Sequence, residues 1–330
     1  MIELQRCSDK EQWDDYVLEN GGHPLQLWEW GQVKAGHGWK AERLFAYDAE
    51  GETLGAAQVL IRKLPSPFRS FAYIPRGPLF HVKSAVKYKD EILDTLAQFV
   101  KREHHSVVLS IEPDVLEFEK PDGWVRSTNK ILSAETILLD LTKTESDLLA
   151  GMAKKTRQYI RKSASDITVQ RVRKQEDIEA CLAIYKQTAH RAGFNLHNER
   201  YYLDVFLQMQ DYSPIFAAYV EGKPVAFLWL AISESTAYEL YGGMDERGQE
   251  LRANYALKWY AIRKVKEWGL TRYDFGGLVA GGVSNFKQGW SDDVTVFAGT
   301  FDRPLSPLYT LWSKGLPFAK RTLQRIRRKK

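Results

Sequence analysis

The sequence predicts an α/β protein in which one unit is used twice. Two observations carry this. Phe45-Ala-Tyr-Asp-Ala-Glu50-Gly51-Glu-Thr-Leu54-Gly-Ala reads as strand, tight turn, strand, and so does Phe216-Ala-Ala-Tyr-Val-Glu221-Gly222-Lys-Pro-Val225-Ala-Phe. Phe45/Phe216, Ala46/Ala217, Glu50/Glu221, Gly51/Gly222, Leu54/Val225 and Gly55/Ala226 fall at one common offset. Glycine supplies the positive φ that a hairpin turn needs, and the flanking apolar residues fit a half-buried ladder. After each hairpin come further strand-like segments and an amphipathic helix, as expected of a duplicated domain. The 330 residues are enough for two cores of ordinary size.

Taken in order, Ser8-Asp-Lys-Glu11 opens a helix over 8–20 with a capping box, and Leu27–Gly36 is a second helix. Strands are expected at 41–47, 53–63 and 69–75, with Pro65 and Pro67 breaking the run between the last two. An amphipathic helix covers 88–103, a buried strand 107–111, and a strand lies near 135–141. The second unit repeats the pattern. It has a helix at 145–164, a strand at 168–172, a helix at 175–192 and strands at 214–220, 224–232 and 236–241. A helix over 253–268 then ends at Gly269, and a strand runs over 271–275.

Composition narrows the function. Hydrophobic content of 44% and charged content of 27% are those of a soluble globular chain. Ten Trp and sixteen Tyr are many, and core filling accounts for most of them. Cys7 and Cys181 lie far apart without a partnering His pattern, which argues against a zinc site or a disulfide framework and fits a reducing compartment. The N-terminus lacks a signal-peptide core, and Val225–Ile232 is too short to span a bilayer, so a cytoplasmic location is expected. Net charge is +5 but unevenly spread. Residues 314–330 carry eight basic side chains and no acid, and residues 154–174 carry eight against Asp166 alone. Such clusters attract phosphate on RNA, nucleotides or lipid headgroups, although a solvated helix face and a frayed tail would read the same.

Several segments stand out in order: Trp28-Glu-Trp30-Gly-Gln-Val-Lys34, Ala72-Tyr-Ile-Pro75-Arg76-Gly77-Pro78 and Lys154-Lys-Thr-Arg157-Gln-Tyr-Ile-Arg161. Tyr241-Gly-Gly-Met244, Tyr273-Asp274-Phe275-Gly276-Gly277 and Asn285-Phe286-Lys287-Gln288-Gly289 follow. From about residue 25 to 300 this ordered set resembles the FemABX peptidyltransferases, which build peptidoglycan interpeptide bridges. The resemblance implies two tandem GNAT-like domains, 1–143 and 144–304, with 305–330 folding back to complete the first. It implies aminoacyl-tRNA as donor and transfer to an amino group on the stem peptide of a precursor (UDP-MurNAc-pentapeptide or lipid II); a monomer with no cofactor or metal is expected. Some members carry a long two-helix arm in the second domain. About a dozen residues separate Tyr241 from Asn254, which leaves no room for one there.

Site residues follow from the same resemblance. Lys287, with Phe286, matches a pair near the donor channel. Aminolysis of an ester passes through an oxyanion that a fixed cation stabilises. The alternative is a surface lysine in a Gly-flanked loop. Lys34 matches a lysine on the precursor diphosphate, with Trp30 one helical turn away; an ordinary amphipathic helix explains it equally. Tyr201 and Tyr255 match acceptor-site tyrosines, with helix packing as the plain reading of Tyr255. His197 stands where the armless branch has an arginine on the diphosphate, and histidine is a weaker phosphate partner, so Arg200 is a candidate to compensate. Arg76 is either a substrate contact or half of a structural ion pair. Asp274 reads as a structural carboxylate near the cleft, and no acid–base pair is evident, so the attacking amine passes its proton to substrate or water.

Three rivals remain open. In an acyl-CoA N-acyltransferase, glycines present backbone amides to the pyrophosphate, but Gln249-Glu-Leu-Arg252-Ala-Asn254 has Arg and Asn there. A tRNA-dependent transferase acting on a protein N-terminus or a lipid would use the basic clusters equally well. A non-catalytic RNA or membrane-surface adaptor is the third. The basic tail, with Phe318, Leu323 and Ile326 among its charges, is expected to form a helix that docks on domain 1 or lies on anionic lipid, giving peripheral contact at the inner membrane face through 314–330.

Overall fold

The computed structural model describes residues 2–81, 85–278 and 286–315. The first stretch runs β1 (Glu3–Arg6), α1 (Lys10–Glu19), α2 (Trp28–Ala35), β2 (Lys40–Tyr47), β3 (Thr53–Lys63), β4 (Ser70–Ile74), β5 (Leu79–Phe80), α3 (Ala85–His104), β6 (Ser106–Ile111) and β7 (Val125–Arg126). Next come β8 (Glu135–Asp140), α4 (Glu145–Ala150), α5 (Lys154–Ser163), β9 (Thr168–Val172), α6 (Gln175–Ala192), α7 (Glu199–Met209), β10 (Ile215–Val220), β11 (Lys223–Ile232) and β12 (Thr236–Met244). The chain closes with α8 (Glu246–Leu251), α9 (Ala253–Glu267), β13 (Arg272–Asp274), β14 (Val294–Val296) and β15 (Phe301–Pro304).

The duplication is visible in the sheets. One has the order β1-β2-β3-β4-β6-β15-β7, with β5 on β3, and the other β9-β10-β11-β12-β13-β8-β14 when read from its opposite edge. Each has a parallel pair at the same place, β4/β6 and β12/β13. In each, the strand beyond that pair comes from the segment that follows the other unit in sequence. β15 pairs with β6, and β8 pairs with β13. The chain therefore divides into residues up to Ala134 with those from Val296 onward, and Glu135–Thr295. The boundaries expected at 143/144 and 304/305 each move by about nine residues, because strand pairing rather than local sequence assigns β8 and β15.

The repeated hairpin is present in both units, but its register is not conserved. Ala46 faces Gly55, whereas Ala218, not Ala217, faces Ala226. The first turn is long, and Asp48 Oδ1 accepts from the amides of Glu50 (3.1 Å) and Glu52 (2.8 Å). The second has only Glu221 and Gly222 between paired residues, both at positive φ (51° and 76°), the geometry a two-residue hairpin selects.

Local details also differ from expectation for identifiable reasons. Asp9, not Ser8, caps α1, accepting from the Gln12 amide. The helix expected over 145–164 is two helices. Arg157 Nη1 bonds the carbonyls of Leu149, Ala150 and Met152, satisfying the free C-terminal end of α4 and fixing the angle to α5. α7, with Asn198 as its cap, is a further helix, and its Tyr201, Tyr202, Val205 and Met209 are buried. The tail helix expected beyond residue 315 lies outside the described residues. No helix among those described is long and apolar enough to cross a membrane.

Each unit packs helices on its sheet. In the first, Ile92, Leu93, Leu96 and Val100 of α3 meet Leu44, Val59, Ile61, Ile74 and Leu109. In the second, Leu257, Ala261, Ile262 and Val265 of α9 and Ile160 of α5 meet Phe216, Ala218, Leu228 and Leu230. The alternate residues face the other way. Phe227 touches Tyr185 of α6, and Trp229 touches Tyr202 of α7. One β-bulge then decides where the chemistry goes. Trp229 pairs with Tyr241 and Leu230 with Glu239, so Leu240 is the extra residue. Residues two apart on a strand share a face. The bulge instead sends Glu239 toward α9 and Tyr241 toward α6 and α7.

Candidate active site

Beside the α9 face of the second unit, two lysines are withdrawn from solvent. Lys287 donates to the carbonyls of Phe275 (2.5 Å), Gly276 and Gly277 (3.1 Å), so all three of its protons are held at the end of β13. Lys258, 5% exposed, bonds Glu239 Oε1 at 2.5 Å, and the Tyr273 hydroxyl donates to the same oxygen at 2.7 Å. The Lys258 ammonium also sits 4.5 Å from the Phe275 ring centre and 5.1 Å from that of Phe286. It thus bridges, by cation–π attraction, the residues that precede and include the Lys287 motif.

Burial disfavours charge on both lysines. The Lys258 pKa is pushed down to about 8 by burial, opposed by Glu239 and reinforced by Lys287. Burial also lowers the Lys287 pKa, opposed by Glu239 and Asp274. Lys258 is therefore still mostly protonated at pH 7. Tyr273 is held far above its usual value by burial and by Glu239, so it stays a neutral donor. Asp274 Oδ1 accepts from Thr136 Oγ1 (2.6 Å) and the Gly276 amide (2.8 Å).

Aromatic side chains wall this centre. Phe286 meets Tyr255 edge-on at 4.9 Å, Tyr255 stacks on Trp290 at 6.3 Å, and Tyr159 closes on Tyr255 at 5.0 Å. The motif is fixed from below by α5. The Ala153 amide donates to the Gly289 carbonyl at 3.0 Å, and a Cβ on Gly289 would lie 2.5 Å from Thr156 Oγ1, so only glycine fits. Lys287, Phe286, Tyr255 and Asp274 are thus brought together.

The remaining candidates in this unit are elsewhere. Tyr201 lies on the opposite face, 2% exposed, stacked on His197 at 4.1 Å, with the Tyr241 hydroxyl donating to it at 3.4 Å. Burial pushes its pKa up to about 12. His197 is tied in through its amide, which donates to the Tyr202 hydroxyl at 3.1 Å. Arg200 is not part of that cluster. It is an exposed residue paired with Asp204 at 2.9 Å, one helical turn on.

In the first unit Lys34 stands on α2 with its ammonium 4.3 Å over the Trp30 ring, as the one-turn spacing predicts. Burial, with Arg62 adding to it, pushes its pKa down to about 8. A buried polar knot holds α2. Gln58 Nε2 donates to the carbonyls of Leu25 (3.3 Å) and Leu27 (2.9 Å), and Arg43 bonds the Trp28 carbonyl (2.6 Å) and lies 3.6 Å over its ring. Asp14 Oδ1 accepts from the Trp28 amide at 2.8 Å. Arg76 is 3% exposed, 3.9 Å over Phe297 and 4.0 Å from Asp114.

Residues 9–123 match the FemAB family, and residues 150–288 match the acetyltransferase (GNAT) domain family. The FemAB match lies in the first unit and the GNAT match in the second. A lipid II:glycine glycyltransferase of Staphylococcus aureus strain MRSA252 is 22% identical over 412 aligned positions, covering 96% of each protein. That alignment is longer than the 330 residues here, so the relative carries insertions this chain lacks. Between β12 and α9 the described residues hold only the short α8, in keeping with the absence of an arm. The crystal structure of FemX matches with a TM-score of 0.83 at 20% identity, over 94% of this chain and 100% of that one. A tandem GNAT protein from the clavulanic acid pathway gives 0.56 at 10% identity, over 93% and 99%. The fold is two tandem GNAT-like units.

Glu239 and Lys258 lie outside the segments the sequence singles out, and Tyr273 opens one of them without an assigned role. Lys258 had a legible signal. It lies three, four and seven residues before Ala261, Ile262 and Val265, on the buried stripe of α9, where a lysine needs a partner. Removing one member of a buried pair leaves the other uncompensated. Lys258→Met should therefore cost about 3–5 kcal/mol in denaturant unfolding, and adding Glu239→Gln should recover most of it. A double variant as unstable as the single would show the two are not coupled.

Proposed function

We propose that this protein is a FemAB-type aminoacyltransferase moving an amino acid from aminoacyl-tRNA to an amino group on the stem peptide of a peptidoglycan precursor, either UDP-MurNAc-pentapeptide or lipid II. The observation that carries this reading is Lys287, fixed at the end of β13 beside a second buried ammonium, in a chain aligned over almost its whole length with lipid II:glycine glycyltransferases. In the proposed reaction the neutral amine attacks the ester carbonyl carbon of the charged tRNA. The carbonyl oxygen gains negative charge, and Lys287 exchanges one backbone carbonyl for it. The ester C–O bond then breaks, and the ribose oxygen leaves with the proton given up by the amine. Phe286, Tyr255 and Trp290 exclude water, which would otherwise hydrolyse the ester.

Lys34 over Trp30 is suited to the diphosphate of the precursor, and the basic tail at 314–330 to anionic lipid at the inner membrane face. An acyl-CoA donor is disfavoured by Arg252 and Asn254 at the start of α9. Arg252 folds its guanidinium 4.0 Å over Tyr159.

Incubating the protein with precursor, tRNA, charging enzymes and amino acids should add a residue-sized mass to the precursor, read by mass spectrometry. Lys287→Ala should reduce the rate about 100-fold or more, the scale of losing one oxyanion donor. An undiminished rate in Lys287→Ala would remove the assigned role. No gain on any precursor would turn the reading toward another acceptor.

Lys34 adds a pH test. Its folded pKa near 8 lies below the unfolded value of 10.5, so the folded protein sheds this proton first. Its charge is present below pH 8 and lost as pH rises through 8, while the folded state gains stability relative to the unfolded one between pH 8 and 10.5. Affinity for a precursor bearing the diphosphate should weaken through pH 8, and Lys34→Ala should bind weakly with no inflection there. An inflection that persists in Lys34→Ala would assign it to another group.

A further inference from the structure

We propose that the exposed face of α5 docks RNA and leads its phosphate backbone to Lys287. This rests on the tRNA-dependent reading above and gives the donor a specific surface. α5 carries Lys154, Lys155, Arg161 and Lys162, all exposed, and no acidic residue. None of the four has an acidic partner among the described residues. The neighbouring helices behave differently. Lys186 pairs with Glu199, Arg200 with Asp204, Arg247 with Glu250, Arg263 with Glu145 and Lys264 with Glu267, at 2.5–2.9 Å. A helix face whose cations are left unneutralised, on a unit where other helices pair theirs, is complementary to a polyanion.

The second observation is continuity with the active centre. The start of α5 is bonded to Gly289, two residues from Lys287. Tyr159 of α5 touches Tyr255, and Tyr255 touches Phe286, so rings run from the basic face to the lysine motif. Arg252 over Tyr159 adds a further cation beside them. Cationic side chains tracking a backbone, with aromatic faces on which unpaired bases stack, are the recurrent means of holding single-stranded nucleic acid. An anionic membrane fits less well. The apolar side of α5, Ile160 with Thr156 and Ser163, is buried, so no apolar face is left to enter a bilayer.

The test uses the full chain and a labelled, uncharged RNA hairpin ending in a single-stranded 3′ segment, followed by fluorescence anisotropy across a salt series. Lys154→Ala with Lys155→Ala, and then the fourfold variant adding Arg161→Ala and Lys162→Ala, should lose affinity stepwise. Each lost phosphate contact flattens the slope of log K against log salt by about 0.7–0.9, hence by about 3 for the fourfold variant. Arg263→Ala with Lys264→Ala should leave both quantities unchanged, and thermal melting checks that every variant is folded. With charged RNA the fourfold variant should raise KM and keep kcat. RNA binding by wild type that the fourfold variant retains would overturn this inference and leave the tRNA-dependent reading standing. A wild type that neither binds the RNA nor transfers an amino acid would overturn both. Loss of binding to phosphatidylglycerol vesicles, with RNA binding intact, would reassign the face to lipid.

Discussion

The second unit's site depends on how it keeps positive charge out of water. Burying an ammonium costs several kcal/mol unless partners offset it. Lys258 has Glu239, the Phe275 ring and the Phe286 ring; Lys287 has three carbonyl oxygens and the nearby charges of Glu239 and Asp274. Remove the carboxylate at 239 and both lysines lose an attraction that keeps them protonated. The bulge at Leu240 is what points that carboxylate toward α9.

The two units show what duplication allows. Their sheets share strand order and the position of the parallel pair, yet they spend buried charge differently. In the first unit Glu112 accepts from the amides of Ile131 and Leu132 and from the hydroxyls of Tyr73 and Thr300, and Asp302 accepts from Ser110, Ser127 and Tyr309. Fixed donors saturate both, which is the arrangement of a framework. In the second unit Asp274 is held by fixed donors too, while Lys287 bonds backbone carbonyls that it can exchange for a ligand.

Much of this was legible in the sequence because it is local. The hairpins follow from turn residues between apolar runs, α9 from its apolar stripe ending at Gly269, and the Lys34–Trp30 contact from one-turn spacing. What was not legible depends on pairing between distant segments. β15 has four residues and β14 three, too few for a period, and only their partners make them strands. The register of the first hairpin is set by a long turn that its matching letters conceal. A bulge has no local signature, so the separation of Glu239 from Tyr241 could not be foreseen. Arg200 illustrates the converse: its motif position pointed to phosphate, while its neighbour one turn away, Asp204, already offered an ordinary surface pair.

The central claim, two buried ammonium groups held charged by one carboxylate, is tested most directly by side-chain NMR of protein labelled with ¹⁵N-lysine. At neutral pH the account predicts two ammonium signals that exchange slowly with water, assigned by Lys258→Met and Lys287→Arg, with the Lys258 signal titrating near pH 8. Glu239→Gln should lower both titration midpoints. Lys287 and Lys258 ammonium protons that exchange as fast as those of surface lysines, with midpoints near 10.5 and no response to Glu239→Gln, would contradict it.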